Sequence, residues 1–492
     1  MRRFAAMAFR FSFGKPPAVA ARGMAATSQP LATRAALRML ERGGNAVDAA
    51  LAAAAMLCVT EPMSTGVGGD AFALVWRDGK VEALDAAGPA PARAEPVEPV
   101  DHAGPRSVDV PGAVAGWAAL SERHGRLGLA ASLADAIDAA ERGFAVGARA
   151  SAAWQPRQTN VAWTSFQLPA EFSPAPRAGD VVRFPELGAT LRAIAEQGPD
   201  ALYRGEVARA ICSVCWLEEA DLAAYRPSWV EPLRLSYRGL EVLELPPPTQ
   251  GVAALEALGL LEGMQPTLAN RITAASLALE DARAHVRDGA DVRFLLEEDY
   301  LARRREEAPR PTAPVGGGTV YLCVVDEDRT AVSLIQSLYA SFGSGIVAPG
   351  TGVVLQNRGS CFSVQGRVEP GKRPYHTIIP GMLLRDGRLY GPFGVMGGFI
   401  QAQAHMQLVS ALVDDGLDPQ AALDRPRFRV EGGAVLLEEG LWPEADALEQ
   451  AGFPVVRETD TIGFGGGQAI LLEGDALVGG SDPRKDGYAA GF

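Results

Sequence analysis

A threonine that follows three glycines is the first candidate for chemistry in this sequence. Thr319 stands directly after Gly316, Gly317 and Gly318 and opens the strand-like run TVYLCVV. A hydroxyl is a weak nucleophile unless a base lies beside it, and a threonine at a chain terminus carries such a base in its own α-amino group. That group has an ordinary pKa of about 7.7 to 8.0, so a useful fraction of it is neutral near pH 7.

An internal Thr319 can use this chemistry only if the bond between Gly318 and Thr319 is cut. A flexible glycine would let the carbonyl carbon of residue 318 approach the Thr319 hydroxyl. The alternative interpretation is a glycine linker that runs into a strand, and these residues alone do not decide between the two.

Other motifs offer weaker chemistry. Cys212 and Cys215 have CxxC spacing, but a zinc site needs a second pair of ligands and the sequence supplies none at suitable spacing. The glycine-rich run at 66–70 precedes a strand instead of opening a helix, which argues against a phosphate loop. The histidines form no HExxH motif, and no serine stands in a GxSxG motif. We therefore expect no metal and no cofactor.

Composition favours a globular protein with a large core and a small-molecule partner. The 492 residues are 48% hydrophobic and 21% charged, and the formal net charge is −13. Such a length fits about two to four average domains or one large layered domain. An acidic chain has no general attraction for nucleic acid or for an anionic membrane, so neither is an expected partner. Five scattered cysteines are not a disulfide framework.

The N-terminal residues superficially resemble a signal peptide. The run MRRFAAMAFRFSFGKPP begins with positive charge, but Arg10 and Lys15 interrupt its apolar part and no small-residue cleavage site follows cleanly. The apolar stretch 49–60 is too short to span a bilayer. We expect a soluble, cytoplasmic protein.

The elements that must position these residues follow a mixed α/β pattern. Residues 30–42 are amphipathic and end at Gly43, and Asn45 or Asp48 is the expected cap of an apolar helix over 47–59. Further helices are predicted at 112–123, 130–142, 186–195, 250–262 and 268–286. Strands are predicted at 71–76, 233–237, 240–245, 319–325, 331–337, 351–355 and 467–472, with a hairpin that joins 320–325 to 331–336.

The segment that leads to Thr319 differs in composition from its surroundings. Residues 301–318 are charged at first and then rich in proline and glycine, which is typical of an exposed flexible connector. A domain linker and a cleavable junction are both consistent with this composition.

Blocks along the whole chain resemble the γ-glutamyltransferase family of N-terminal nucleophile hydrolases. Thr319 begins the block TVYLCVVD, and AVSLIQSLYASFGSGIVAPGTGVVLQN follows up to residue 357. The other matching blocks, in chain order, are GGNAVDAALAAA, EPMSTGVGGDAFALVW, DVPGAVAGW, GKRPYHTIIPGM, GVMGGFIQAQAH, DRPRFRV and GGSDPRKDGYAAG. Their number and their order argue against a chance resemblance.

This resemblance implies an α/β (α+β) fold, a four-layer αββα sandwich, formed by a proenzyme that cuts itself between Gly318 and Thr319. The large segment would be 1–318 and the small segment 319–492, and the two would stay together as a heterodimer in one domain. Whether such heterodimers pair further is left open.

The resemblance also implies the roles of the catalytic residues. Thr319 would attack the carbonyl of a small-molecule amide and pass the acyl group to water or to an amine. Ser337 matches the family position whose hydroxyl contacts the nucleophile. Gly397 and Gly398 match the glycine pair whose backbone N–H groups form the oxyanion hole, where preorganised donors stabilise developing negative charge.

The sequence departs from the family at positions that bind the acyl group in γ-glutamyl enzymes. The arginine that holds the substrate α-carboxylate is matched by Ala87, and the acidic residue that holds the α-amino group by Cys361. The Asn and Gln positions that line the pocket become Tyr339 and Arg358. A serine pair that also contacts the carboxylate becomes His376 and Thr377.

Charge then favours a different acyl group. Cys361 offers an ammonium group no anion unless it ionises, so an amino-acid substrate would lose a contact of about 1.5 to 3 kcal/mol. Arg358 offers a planar fork that suits a carboxylate. The pocket thus favours an acyl group with a carboxylate and no ammonium. Within the wider family this pattern resembles the branch of amidohydrolases and acylases, which implies hydrolysis of a small carboxylate-bearing amide. The alternatives are a true γ-glutamyltransferase or glutathione hydrolase and a non-catalytic family member.

Overall fold

The computed structural model describes residues 15–95, 101–155, 169–308 and 318–492. Its strands, in chain order, are β1 (Ala18–Ala20), β2 (Met24–Thr27), β3 (Asp70–Arg77), β4 (Lys80–Ala86), β5 (Phe144–Ala145), β6 (Val181–Val182), β7 (Ser228–Val230), β8 (Leu233–Tyr237), β9 (Leu240–Glu244), β10 (Gly318–Val325), β11 (Ala331–Tyr339), β12 (Val347–Ala348), β13 (Val353–Val354), β14 (Gly381–Arg385), β15 (Arg388–Met396), β16 (Phe428–Glu431), β17 (Ala434–Leu437), β18 (Val455–Arg457), β19 (Gly466–Glu473), β20 (Ala476–Ser481) and β21 (Tyr488–Gly491).

The α-helices of the same residues are α1 (Pro30–Glu41), α2 (Ala46–Thr60), α3 (Ala113–His124), α4 (Leu129–Arg142), α5 (Ala148–Trp154), α6 (Pro185–Gln197), α7 (Asp200–Tyr203), α8 (Gly205–Cys212), α9 (Glu219–Ala224), α10 (Gly251–Glu262), α11 (Leu268–His285), α12 (Glu298–Arg304), α13 (Ile400–Val413), α14 (Pro419–Asp424) and α15 (Ala445–Gln450).

Two seven-stranded sheets form the centre of the molecule. The first has the strand order β21-β2-β10-β11-β3-β4-β7, and the second has the order β1-β20-β19-β15-β14-β9-β8. Every pairing inside these two sheets is antiparallel. Both sheets mix strands that precede residue 318 with strands that follow it, so the two sides of the Gly318–Thr319 bond are built into the same layers.

Three clusters of buried apolar side chains separate four layers. One cluster lies between the first sheet and helices that include α2 and α4, and it contains Val320, Leu322 and Val324 of β10. A second joins α10, α11 and α13 to the second sheet. The third lies between the sheets and contains Tyr321 and Cys323. Because successive residues of β10 point to different clusters, this strand is buried on both faces, and the expected αββα sandwich is confirmed.

Most predicted elements are present with small shifts at their ends. The cap of α2 is Asn45, whose side chain accepts from the Asp48 backbone N–H, while the Asp48 carboxylate accepts from the Asn45 N–H. The prediction of a strand over 351–355 is wrong in length, since the strand there is Val353–Val354. The patterns also missed the hairpin β14–β15, which is buried between other layers and shows no clean alternation.

The first four residues of the predicted connector, 301–304, form the end of helix α12, which corrects the expectation of a flexible segment there. Arg304, in α12, is buried and its guanidinium donates to Asp281 at 2.8 Å and to Glu280 at 2.9 Å. These ion pairs compensate the burial of the charge and hold the helix to α11. Residues 309–317 of the connector lie outside the described residues, as does the signal-like start, 1–14.

Candidate active site

Thr319 lies beside Ser337 at an irregularity in the central hairpin. The ladder between β10 and β11 changes register between Gly318 and Val320, so two residues of β11 face Thr319. A bulge re-aims the side chains around it. Here Thr319 Oγ1 lies 3.1 Å from Ser337 Oγ, and both side chains are buried.

The Ser337 hydroxyl also contacts the carbonyl that precedes the candidate nucleophile. Ser337 Oγ donates to the Gly318 carbonyl oxygen at 2.6 Å, because a carbonyl only accepts. Its oxygen accepts the backbone N–H of Tyr339 at 2.8 Å. Since Ser337 has one proton to donate, Thr319 Oγ1 must be the donor in its contact with Ser337. The Ser337 hydroxyl thus contacts both the carbonyl oxygen of residue 318 and the Thr319 hydroxyl.

Glycines near Thr319 allow neighbouring backbone segments to pack closely. Gly318 has no positive φ, and a Cβ on it would lie 3.2 Å from the Met63 carbonyl oxygen. Close packing, and not backbone freedom, therefore favours glycine at position 318; the two preceding glycines lie outside the described residues. Gly69 of the 66–70 run is packed still more tightly, since a Cβ there would lie 2.3 Å from the Ser337 carbonyl oxygen. That run supports the end of β11.

Gly397 and Gly398 follow the end of β15, on the second sheet. Their φ angles are 128° and 72°, a region that side chains disfavour. Neither N–H donates to another residue in the described part of the chain. Gly394, on the same strand, packs on the ring of Tyr321, and a Cβ there would lie 2.4 Å from a ring carbon. This contact sets β15 against the strand that carries Thr319.

A buried glutamine that the sequence analysis missed joins this glycine pair to the pocket side. Gln250 Nε2 donates to the Thr377 carbonyl at 2.7 Å and to the Gly398 carbonyl at 3.2 Å. Its Oε1 accepts the Tyr375 hydroxyl at 3.2 Å. Gln250 therefore couples the position of the glycine pair to that of the segment 375–377. Its signal in the sequence is weak: a polar residue after the run PPPT.

Arg358 is at the centre of the predicted acyl pocket and is completely buried. Its Nη1 donates to Thr377 Oγ1 at 3.0 Å, and its Nη2 lies 3.4 Å from Ser337 Oγ. The guanidinium carbon lies 4.4 Å from the centre of the Tyr339 ring. Nε has no hydrogen-bond partner, and Arg358 forms no ion pair with any described residue. A buried cation without a counter-ion is costly, so this group is suited to binding an anion.

Cys361 does not supply an anion for an ammonium group. Burial raises the pKa of its thiol, and the nearby positive charge of Arg358 opposes this only in part. Cys361 Sγ lies 3.7 Å from Arg358 Nη1. Burial likewise raises the pKa of the Tyr339 phenol well above its ordinary value. Both groups are therefore neutral walls of the pocket near pH 7.

The His376 ring contacts groups other than Arg358. Its Nε2 lies 3.1 Å from Asp70 Oδ2, and its Nδ1 lies 2.7 Å from the Pro374 carbonyl oxygen. Burial lowers the pKa of the imidazole, and the bond to Asp70 opposes that shift. These contacts fix the segment that places Thr377 beside Arg358. Direct binding of substrate by His376 stays a prediction.

Ala87 occupies the place where the resemblance implies an arginine. It is buried in the cluster between the sheets, and its backbone N–H donates to Asp85 Oδ1 at 2.9 Å. The other oxygen of Asp85 binds Arg373, which also donates to Asp288 at 2.9 Å. The strand β4 thus delivers no positive charge into the pocket from this position.

An acidic residue that the sequence analysis did not consider borders the same pocket. Asp109 is completely buried, and neither of its carboxylate oxygens has a hydrogen-bond partner. Its Oδ1 lies 3.1 Å from the position that a Cβ on Gly359 would take, next to Arg358 in the chain. Burial raises the pKa of Asp109 well above its usual value, the charge of Asp70 adds to this, and Arg358 opposes it. The available signal was an acidic residue in the otherwise apolar start of DVPGAVAGW.

The structure offers no cluster of metal ligands within its described ranges: no three His, Cys, Asp or Glu side chains come together in a way that could hold an ion. Cys212 ends α8 and Cys215 follows in the next turn, and both are free thiols. No helix among the described residues combines the length and the apolar character that a membrane crossing requires.

The blocks around this site agree with a known protein family. The sequence model of the gamma-glutamyltranspeptidase family matches residues 32–492. The chain belongs to this family. This match confirms the family resemblance seen in the sequence. The αββα sandwich and the contact between Thr319 and Ser337 are consistent with it.

Three proteins that this chain resembles over most of its length are named as hydrolases or acylases. The crystal structure of cephalosporin acylase from Bacillus halodurans is 40% identical, with a TM-score of 0.89 over 99% of each chain. The glutathione hydrolase-like YwrD proenzyme of Bacillus subtilis is 33% identical over 94% of this chain and 97% of its own. The oxamate amidohydrolase proenzyme of Klebsiella pneumoniae is 34% identical over 96% of this chain and 99% of its own. The chain is thus an amide hydrolase of the N-terminal nucleophile type.

Proposed function

We propose that this chain is a precursor that cuts itself between Gly318 and Thr319 and then hydrolyses small amides whose acyl group carries a carboxylate and no ammonium group. The observation that carries the proposal is the hydrogen-bond relay from Thr319 Oγ1 through Ser337 Oγ to the Gly318 carbonyl oxygen. In this relay one serine hydroxyl contacts both the Thr319 hydroxyl and the carbonyl oxygen of residue 318, which supports the proposed cleavage at that bond.

Self-cleavage begins with attack of Thr319 Oγ1 on the carbonyl carbon of Gly318. The hydroxyl proton leaves, the peptide C–N bond breaks, and the nitrogen takes a proton and becomes the free α-amino group of Thr319. An ester then links residue 318 to the Thr319 oxygen. Water hydrolyses this ester, which leaves a carboxylate on Gly318 and restores the Thr319 hydroxyl. Ser337 stabilises the negative charge that develops on the carbonyl oxygen, because its hydroxyl already donates to that atom.

Turnover of substrate reuses the same oxygen with the new base. The Thr319 α-amino group accepts the hydroxyl proton as Oγ1 attacks the amide carbonyl. The substrate C–N bond then breaks, and the leaving amine takes that proton as the acyl-enzyme forms. The free N–H groups of Gly397 and Gly398 would hold the oxyanion of the tetrahedral intermediate. Water, or an amine that takes its place, then releases the acyl group.

Arg358 supports the choice of acyl group. Its guanidinium is buried, lacks an ion-pair partner among the described residues and has a free Nε–H. A carboxylate on the acyl chain would make a charge-assisted hydrogen bond of about 1.5 to 3 kcal/mol there. Similarity to proteins named cephalosporin acylase and oxamate amidohydrolase agrees with such a substrate.

A panel of p-nitroanilides tests the substrate class. Glutaryl, succinyl, oxalyl and γ-glutamyl anilides should be compared with butyryl anilide, which has an acyl chain without a carboxylate. We expect at least one of the first three to be hydrolysed well above the butyryl compound. Rapid hydrolysis of the γ-glutamyl compound alone would contradict the proposal and support a γ-glutamyltransferase or glutathione hydrolase, which the similarity to the glutathione hydrolase-like relative keeps as the second candidate.

We also propose that the two fragments remain associated after cleavage. Strand β10 starts at Gly318 and pairs with β2, which precedes the cut, and with β11, which follows it. Both sheets contain strands from both fragments. Separation would expose the buried faces of these strands, so a heterodimer of 1–318 and 319–492 is the expected product.

A further inference from the structure

The strand that leads to Gly397 and Gly398 loses one of its two neighbours before it ends. Strand β15 pairs with β14 only as far as Phe393, which lies opposite Gly381, and it continues along β19 to Met396. Within the described ranges, the residues of β15 after Phe393 therefore have a neighbouring strand on one side only. Because an unpaired backbone group is costly in a buried place, another acceptor has to serve this stretch.

A histidine of α13 supplies that acceptor. The Val395 N–H donates to His405 Nε2 at 3.0 Å, and His405 is completely buried. An amide N–H can only donate, so Nε2 carries no proton and the proton of the neutral imidazole is on Nδ1. Val395 lies two residues before Gly397, so this bond holds the backbone that leads directly into the glycine pair.

A buried glutamate holds the ring in this tautomer. His405 Nδ1 lies 2.6 Å from Oε1 of Glu244, the last residue of β9, and Glu244 is also completely buried. Burial raises the pKa of Glu244, and His405 opposes this shift. Oε1 accepts from Nδ1–H in either state of the carboxyl group, because Oε2 has no hydrogen-bond partner in the described part of the chain and can carry the proton. The hydrogen bond at one ring nitrogen thus decides the state of the other.

A second side chain of α13 supports the neighbouring segment. Gln401 precedes His405 by four residues, so the two lie on the same face of the helix. Its Oε1 accepts the N–H of Ile379, just before β14 begins, at 3.1 Å. Its backbone N–H donates to the Gly398 carbonyl at 3.2 Å. Helix α13 therefore holds the chain that enters β14 and the chain that leaves β15 at the place where these strands cease to pair.

We propose that His405 and Glu244 are positioning residues for the oxyanion site. Glu244 selects the ring tautomer, the ring holds the Val395 N–H, and the strand end fixed in this way sets the direction of the free N–H groups of Gly397 and Gly398. This inference rests on the proposed function, in which the glycine pair binds the oxyanion during turnover. Proposed self-cleavage relies on Ser337 instead, so a defect at position 405 should slow turnover and spare self-cleavage.

Two substitutions at position 405 separate the acceptor from the rest of the ring. His405→Gln places an amide oxygen near the position of Nε2, whereas the side chain of His405→Asn ends near Nδ1 and cannot reach Val395. We expect His405→Asn to lower kcat for the best anilide of the panel about tenfold to a hundredfold, with KM changed less than about twofold and self-cleavage unaffected. His405→Gln, and Glu244→Gln, which keeps an acceptor oxygen, should stay within about fivefold of the parent protein.

The matched control is Gln407→Asn, on the same helix. Gln407 accepts the N–H of Phe428, on β16, at 3.2 Å and donates to its carbonyl at 3.1 Å. Shortening this side chain removes contacts between α13 and a strand backbone without touching β15, so it should lower thermal stability and leave kcat unchanged. Equal losses of kcat in Gln407→Asn and His405→Asn, equal losses in the two variants of His405, or a parallel loss of self-cleavage would overturn the inference.

Two further measurements keep the inference separate from the proposed reaction. The backbone amides of 394–399 should exchange hydrogen faster in His405→Asn than in the parent protein or in His405→Gln. The ¹⁵N signals of the His405 ring should show a protonated Nδ1 and an unprotonated Nε2 at neutral pH. An unreactive anilide panel together with these results would refute the proposed reaction but support the positioning of Gly397 and Gly398. A protonated Nε2, or unchanged exchange in His405→Asn, would contradict the inference itself.

Discussion

The nucleophile region and the acyl pocket share Ser337 but differ in how fully their polar groups are paired. Around Thr319 the hydroxyl groups are hydrogen-bonded within the chain. Ser337 Oγ contacts Thr319 Oγ1, donates to the Gly318 carbonyl and accepts the Tyr339 N–H. In the pocket, Arg358 Nε and both oxygens of Asp109 have no such bond.

This difference separates two tasks. A complete internal network suits the proposed self-cleavage, in which the chain is its own substrate, because the carbonyl of residue 318 supplies the last acceptor. Incomplete pairing of buried charges is costly for an empty pocket and is recovered when a ligand of complementary charge binds. Self-cleavage should therefore depend on the first region, and substrate choice on the second.

The largest expected effect comes from removing the nucleophile. Thr319→Ala should abolish both self-cleavage and hydrolysis, with a loss of activity of about 10⁴-fold or more. Thr319→Ser keeps a hydroxyl and should retain slower cleavage and measurable turnover. Anilide hydrolysis and denaturing gels check both variants. Activity in a fully uncut Thr319→Ala protein would show that the two regions are not divided as proposed.

Damage to the oxyanion site should affect rate more than binding. In Gly397→Ala the new Cβ would lie 2.8 Å from Ile400 Cγ2 at a φ of 128°, so the backbone must shift. We expect kcat to fall about 10²- to 10³-fold with little change in KM. Gly416→Ala is the matched control, because Gly416 also has a positive φ but a Cβ there meets nothing within 4 Å. Similar losses in both variants would indicate a general folding defect.

Arg358→Ala probes the pocket alone. Its contact with Ser337 is long, 3.4 Å, so self-cleavage should survive its loss. We expect kcat/KM for carboxylate-bearing anilides to fall about tenfold to a hundredfold, and that for butyryl anilide to stay within about threefold. Parallel loss of self-cleavage and of turnover on every substrate would make Arg358 a structural residue and not a ligand.

The smallest effect is expected at Cys361. Because burial raises the pKa of its thiol, the group is neutral at the pH of the assay and Cys361→Ser should change kcat/KM less than about threefold. The parent protein and Cys361→Ser should both lose activity as the pH falls through about 7.7 to 8.0, because the Thr319 α-amino group then takes up a proton and ceases to be a base. A shift of that acid limb in Cys361→Ser would assign the base to the thiol.

The nucleophile region could be predicted from the sequence because its parts are close in the chain. Thr319 lies near the start of one strand of a hairpin and Ser337 near the end of the other, so strand pairing brings them together. The family resemblance supplied the distant glycine pair at 397 and 398. What no pattern showed is the register change beside Gly318, which aims the two hydroxyls at each other.

The acyl pocket was harder to predict because its members come from separate segments. Asp109 and Gln250 approach Arg358 and Gly398 only through packing of loops that have no common periodicity. A buried acid without a partner is invisible in a sequence, where an aspartate before a turn is typical of a surface. For the same reason, the sequence predicted a flexible connector where α12 forms, because the burial of Arg304 depends on two acids of α11.

The central claim is that the chain cuts itself between Gly318 and Thr319, and the mass of the purified protein tests it most directly. Intact-mass analysis under denaturing conditions, with N-terminal sequencing of the smaller species, should show two fragments that correspond to 1–318 and 319–492, the second beginning with threonine. A single full-length chain that stays uncut on prolonged incubation, or a cut at another bond, would contradict the account.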